Sequence, residues 1–137
     1  MKIATIIILL FLAGGFNGTM DALQFHGACQ YFDNPAFWCP GESWANKWTL
    51  NEAGNPVPGM ERFWGSSTVF VFVTDGWHLA KFLFMLMLKA AVLLAVLWVP
   101  VNPWLKSPRP IWWGVSFVVA TLAFSSGFWL TYNFLLK

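Results

Sequence analysis

The chain has 137 residues, of which 58% are hydrophobic and only 10% are charged, with a formal net charge of +2. A soluble domain carries about 25% charged residues to keep its surface in water, so this composition excludes an ordinary soluble globule. The Lys and Arg residues form no cluster, which argues against nucleic acid as a partner. The composition predicts one domain, an all-α integral membrane protein whose main partner is the lipid bilayer.

The first segment, residues 1–22, has two interpretations that the sequence leaves open. In the first it is a cleaved signal peptide, with Lys2 as the charged start, residues 3–13 as the apolar run and residues 13–15 as the small cleavage site. In the second it is a signal anchor retained as transmembrane helix 1, because residues 3–22 suffice to cross about 30 Å of hydrocarbon. We favour retention, which predicts three transmembrane helices, whereas cleavage would leave two.

Residues 23–66 predict an aromatic-rich cap between transmembrane helices 1 and 2. Proline and glycine recur through this segment and interrupt any long helix, yet its aromatic residues are too many for a disordered tail. We expect this cap to lie on the membrane surface, with short helices at Ser43–Thr49 and Met60–Trp64 and an exposed loop at residues 51–59.

The chain has two cysteines, Cys29 and Cys39, and both lie in the cap. On the outer side of a membrane, an oxidising environment favours a disulfide between them. Closing a loop of about ten residues would stabilise the cap by about 2–3 kcal/mol. Two free thiols, and metal ligation by Cys29, stay open as alternatives.

Residues 67–101 are apolar for longer than one membrane crossing needs, since a helix crosses with about 20 residues. We place a break at residues 74–76, assign residues 67–81 to the interface, and assign residues 82–101 to transmembrane helix 2. Residues 69–73 are β-branched and aromatic, so they are predicted to be either extended or helical at the interface.

A Pro-rich turn, residues 102–110, then leads into transmembrane helix 3, residues 111–131, and a tail, residues 132–137. Short cytoplasmic segments carry an excess of Lys and Arg, which predicts the orientation. Lys2 and the two basic residues of the turn therefore belong in the cytoplasm, and the cap, where acids outnumber bases, is extracytoplasmic. The expected location is a bacterial-type inner or plasma membrane.

Small residues recur on the faces of two predicted helices. Gly14 and Gly18 have the G-x-x-x-G spacing that lets membrane helices approach closely. In transmembrane helix 3, small residues recur at spacings of four, three and four: Ser116, Ala120, Ala123 and Gly127. Such faces predict packing against a neighbouring helix.

Transmembrane helix 2 and the residues before it carry a stripe of polar residues. At about 100° per residue its members share a third of the circumference, provided that the helix begins before the first of them: Asp75, His78, Lys81 and Lys89. Lys89 lies about 12 Å deeper than Lys81, where a charge costs at least about 2.5–3.5 kcal/mol. We expect Lys89 to face protein, water or a partner's acid, with local bilayer thinning as the alternative.

Three residues are candidate metal ligands. His26 and Cys29 are separated by two residues, as many ligands are, and His78 is predicted to lie at a similar depth in the membrane. The type of site is unknown, and no cofactor is required by the sequence. Interfacial hydrogen bonding by the two histidines is the simpler interpretation.

No catalytic, nucleotide-binding or transport motif stands out. We therefore expect a non-enzymatic accessory or assembly subunit of a membrane complex, with a membrane-protein partner or a homo-oligomer. The alternative is an ion-, proton- or metal-handling protein that uses the polar stripe. A membrane enzyme with His78 as base and Asp75 orienting it is a third hypothesis.

Overall fold

The computed structural model of the chain describes residues 2–98 and 110–136. Three long helices dominate it: α1 is Lys2–Phe25, α4 is Gly76–Trp98 and α5 is Pro110–Leu130. All three contain a stretch that is long and apolar enough to cross a membrane. The predicted class, an integral membrane protein with three transmembrane helices and an aromatic-rich cap, is confirmed.

Two parts of the predicted topology lie outside the described residues. They are nearly all of the Pro-rich turn, residues 102–110, and the predicted end of transmembrane helix 2, residues 99–101. At the other end of α5, the helix widens into one π-helical turn, Thr131–Leu135, within the predicted tail.

Helix α1 is the middle helix, because it packs along both α4 and α5. Small side chains are buried on both α1 and α4: Ala13 on α1, and Ala80 and Ala91 on α4. Small residues let membrane helices approach closely enough for their surfaces to interlock. Each of these helices therefore turns one narrow face inward and leaves the rest of its surface outward.

The contact between α1 and α5 is closer still, because it joins backbone to backbone. A Cβ atom built on Gly14 would lie 1.9 Å from the carbonyl oxygen of Phe124, and one built on Gly127 would lie 1.9 Å from the carbonyl oxygen of Phe11. A Cβ atom on Gly18, one turn further along α1, would lie 2.7 Å from the carbonyl oxygen of Phe128. Only residues without a side chain permit this approach.

The cap, residues 23–66, contains both helical turns and a β-hairpin. Two one-turn helices, α2 (Pro35–Trp38) and α3 (Pro40–Ser43), precede the strands β1 (Trp48–Leu50) and β2 (Pro56–Glu61). The strands pair antiparallel, with Trp48 opposite Glu61 and Leu50 opposite Pro56, and the pairing is irregular between these two positions. The predicted helix at Met60–Trp64 is therefore wrong.

The hairpin forms because its turn is specified locally. The Asn51 side chain accepts hydrogen bonds from the backbone N–H groups of Ala53, at 3.0 Å, and Asn55, at 2.9 Å. Gly54 has a φ of +77°, which favours glycine. The predicted helix at Ser43–Thr49 is replaced by the end of α3, a 3₁₀ turn at Trp44–Lys47 and the start of β1.

Residues 67–75 connect the hairpin to α4 through turns and a single 3₁₀ turn, Val71–Val73, so residues 69–73 are not an extended strand. An aromatic contact anchors the connection. The ring of Phe72 stacks on Phe82 of α4 at 4.3 Å between centroids.

Glu61 closes the turn that follows β2. Its carboxylate accepts hydrogen bonds from the backbone N–H of Gly65, at 2.8 Å, and from both the backbone N–H and the hydroxyl of Ser67. The Ser67 hydroxyl, followed by the two backbone N–H groups, lowers the pKa of Glu61 below its ordinary value.

Replacing Gly127 with alanine is expected to force α1 and α5 apart, because the new methyl group would meet the backbone of Phe11. Overpacking of this kind costs about 1–3 kcal/mol or more, which thermal unfolding in detergent will register as a lower melting temperature. Gly114→Ala in the same helix is the matched control, since a Cβ at Gly114 meets nothing within 4 Å. Equal melting temperatures for the two variants would contradict the backbone contact.

Acidification is expected to open the turn at residues 61–67. Because the folded-state pKa of Glu61 lies below the ordinary value of 4.5, its hydrogen bonds stabilise the fold above that pH. They are lost as the pH falls through the folded-state value. Carboxyl-carbon NMR titration of Glu61 measures this directly, and Glu61→Gln should remove the pH dependence of the Gly65 and Ser67 amide signals. Titration at or above 4.5 would refute the assignment.

Candidate functional site

The candidate site lies where the cap meets the first turn of α4. Asp75 immediately precedes the helix, and its Oδ1 accepts a hydrogen bond from the backbone N–H of His78 at 2.8 Å. This is the geometry of an N-cap, in which a side-chain oxygen satisfies an N–H group of the first turn. The helix therefore begins after Asp75, and the premise that it begins before Asp75 is wrong.

The same carboxylate also binds the His78 ring. Its Oδ2 lies 2.7 Å from the Nδ1 of His78, and the Thr74 hydroxyl lies 3.2 Å from that oxygen. The Asp75 side chain is 4% exposed, whereas that of His78 is 28% exposed. A carboxylate accepting the Nδ1 proton fixes the ring tautomer. The His78 Nε2 is then left as the atom that can accept a proton or bind a ligand.

The cap holds this pair in place from one side. The indole of Trp38 covers Gly76 so closely that a Cβ there would lie 2.2 Å from its ring. The Asn46 side-chain amide donates to the carbonyl oxygens of Ala36, at 2.6 Å, and Thr74, at 2.9 Å. Asn46 thereby ties the cap to the residue that precedes Asp75.

Sequence reasoning missed Trp38 and Asn46 as parts of this site. No sequence motif identifies Asn46 as part of a site. The one available signal for Trp38 was Gly76, because a residue without a side chain lets another group approach the backbone closely. That signal does not say which ring makes the approach.

The predicted disulfide between Cys29 and Cys39 is confirmed, with their Cα atoms 4.8 Å apart. The alternatives of free thiols and of metal ligation by Cys29 are therefore wrong, because both sulfur atoms are bonded to each other. The disulfide closes the loop that carries Trp38, whose ring also stacks on Phe32 at 4.2 Å between centroids. It thus restrains the indole that covers Gly76.

The two histidines have separate partners. His26 forms a hydrogen bond to the Tyr132 hydroxyl, with the two rings perpendicular and 4.5 Å apart. His26 therefore ties the end of α1 to the π-helical turn after α5, whereas His78 binds Asp75. Within the described residues, no group of three or more His, Cys, Asp or Glu is placed to hold a metal ion.

The polar stripe of α4 divides into two parts. At the cap end, His78 is bound by Asp75, and the Lys81 amine lies 5.0 Å from the centroid of the Trp77 ring, a cation–π distance. Further along α4, Lys89 is exposed. In the part of the chain that the structure describes, no side chain binds it.

Lys89 points away from the rest of the bundle. At about 100° per residue, it lies about 180° around α4 from Ala80, which is buried against the neighbouring helix. Lys89 therefore occupies the face of α4 opposite to α1.

The predicted helix-packing residues are not equally covered. Gly14, Gly18 and Gly127 lie at the backbone contact between α1 and α5. Along the rest of the small-residue strip, Ala123 and Ala120 are half-buried and Ser116 is exposed. The strip thus loses cover with distance from the cap, because α1 and α5 meet most closely at Gly127.

Comparisons with protein-family models, with curated proteins and with solved structures find no match to the chain. The two polar features of α4, the pair of Asp75 with His78 and the exposed Lys89, are therefore the basis for a proposed function.

Asp75→Asn is expected to leave α4 intact while freeing the His78 ring. Asparagine caps helices about as well as aspartate, but it lacks the carboxylate charge that holds the Nδ1 proton. The ring nitrogen shifts of His78 in NMR should then report a mixture of tautomers. Asp75→Ala should in addition lose the cap, at about 0.5–2 kcal/mol. An unchanged tautomer in Asp75→Asn would contradict the proposed role of the carboxylate.

Proposed function

We propose that this protein is a non-enzymatic accessory or assembly subunit of a larger membrane complex, and that the outward face of α4 contacts its partner. The observation that carries this proposal is Lys89, which is exposed within a helix long and apolar enough to span the membrane. Among the described residues, none neutralises its charge. Polar residues facing lipid are costly, so they mark sites that another group covers.

The depth of Lys89 in the helix supports pairing with a partner, and it argues against extension of the Lys89 side chain to the membrane surface. It lies about 20 Å along α4 from Gly76, and about 14 Å from Trp98. Helical side chains lean toward the N-terminal end of their helix, which directs this amine away from the nearer boundary. Leaving it in lipid costs at least about 2.5–3.5 kcal/mol on insertion scales.

The apolar surface alone would not require a partner, because lipid covers apolar side chains as well as protein does. Much of the outward surface of the long helices is apolar and exposed, including Leu86, Leu93 and Leu97 on α4 and Phe117, Val118 and Leu122 on α5. The charge is therefore the feature that distinguishes a docking face from an ordinary lipid-facing one.

Retention of α1 and the orientation of the chain are part of the same proposal. The fit of Gly14 against α5 and the packing of α1 along α4 support α1 as a lasting part of the bundle and as a signal anchor. The Cys29–Cys39 disulfide supports an extracytoplasmic cap, since disulfides persist in oxidising compartments. A bacterial-type plasma membrane, with the N-terminus in the cytoplasm, satisfies both.

Proton handling is the second candidate, and the 2.7 Å contact between Asp75 and His78 favours it. An imidazole oriented through its Nδ1, with a side chain 28% exposed, is a candidate proton acceptor. A proton flux across vesicles that contain the purified chain alone, lost in Asp75→Asn, would favour this candidate over the accessory subunit.

Lys89→Leu is expected to release the chain from its complex after mild detergent extraction. The wild-type chain should migrate as a species of fixed stoichiometry in native mass spectrometry, whereas the variant should be recovered alone. Lys81→Leu is the matched control, because Lys81 is on the same face but already lies against Trp77. A wild-type chain recovered as a lone monomer, with Lys89→Leu unchanged in yield, would refute the proposal.

A further inference from the structure

We infer that Lys89 pairs with a carboxylate on a transmembrane helix of a second, different protein. This inference rests on the proposed function and gives its partner a chemical identity.

The chain itself has no acid that can reach Lys89. Its six acids all lie between Asp21 and Asp75 in the sequence. Asp75 caps α4 at the opposite end from Trp98, about 21 Å along the helix from Lys89. Asp21 lies in the last turns of α1, which ends at Phe25 on the cap side of the bundle.

A second copy of this chain cannot supply the acid either. Copies of one membrane protein insert with one orientation, because the same flanking charges direct each of them. A neighbouring copy would therefore present Asp21 and Asp75 at the cap end, at the same membrane depths that they have in the first copy. The carboxylate must belong to a chain of different sequence, which favours a hetero-oligomer over a homo-oligomer.

The residues around Lys89 favour a helix as the part of the partner that covers them. Lys89 lies in a row of exposed residues at spacings of four, three and four, the pattern of a helix-packing seam: Met85, Lys89, Val92 and Val96. A partner helix along this row would contact apolar side chains on both sides of the amine. A helix is also required by the bilayer, since its backbone satisfies its own hydrogen bonds.

The acid and the amine stabilise each other most where water is excluded. Two opposite charges attract strongly at low dielectric constant, and each removes the need for the other to be hydrated within the membrane. The apolar row on either side of Lys89 provides such an environment once a partner covers it. The pair would thereby fix both the depth and the rotation of the partner helix.

Coupling by dicyclohexylcarbodiimide in native membranes tests this inference. The reagent enters lipid, takes up a carboxyl group with its proton and forms an O-acylisourea. Attack by the unprotonated Lys89 amine then forms an amide bond and releases dicyclohexylurea. Peptide mass spectrometry should find Lys89 joined to an Asp or Glu within a transmembrane segment of another protein. The absence of this crosslink, or a crosslink to an acid of the same chain, would overturn the inference.

Variants at the same position separate charge from reactivity. Lys89→Arg keeps the positive charge but cannot form the amide, so it should retain the partner and lose the crosslink. Lys89→Glu should lower the amount of partner recovered by about tenfold or more. Changing the crosslinked acid to lysine should restore recovery with Lys89→Glu. Failure of that exchange would contradict a direct ion pair.

The outcomes distinguish the inference from the function on which it rests. If the chain is recovered with another protein in fixed stoichiometry but Lys89 forms no crosslink, the inference fails and the accessory role stands. If the chain is recovered alone, both fail. Lys81 serves as an internal control in the same sample, because its amine lies against Trp77 and should not couple to the partner.

Discussion

Direct contact between the backbones of α1 and α5 sets the arrangement of the three long helices. Gly14 and Gly127 each lie against a carbonyl oxygen of the facing helix, which leaves no room for a side chain at either position. Helix α1 also packs along α4. Helix α4 turns Ala80 inward and Lys89 outward.

The cap has a second structural role, at the start of α4. Its disulfide restrains the loop that carries Trp38, and the indole of Trp38 covers Gly76, the first residue of the helix. Asn46 binds the carbonyl oxygen of Thr74, immediately before the N-cap. The carboxylate that caps the helix is the one that orients His78, so the cap positions a histidine as well as closing the end of the bundle.

The polar stripe of α4 is better described as two features than as one path. At the cap end, His78 is bound by Asp75 and Lys81 by the ring of Trp77, so both are satisfied within the chain. Between Lys81 and Lys89 there are about 12 Å of helix with no polar group on that face. An ion or a proton would find no relay across that distance. The gap favours an intermolecular role for Lys89 and a separate, local role for Asp75 and His78.

The amino-acid sequence by itself determined the membrane-spanning class, and it favoured three long helices and a disulfide, because hydrocarbon thickness sets helix length and only two cysteines exist to pair. The sequence placed a break at residues 74–76, but it did not identify Asp75 as the N-cap of the helix that follows. Only the tertiary structure decided that Trp38 covers Gly76 and that His26 binds Tyr132. These contacts join residues distant in sequence. Composition and periodicity describe each segment alone, so they specify which side chains are costly to expose without specifying which neighbour covers them.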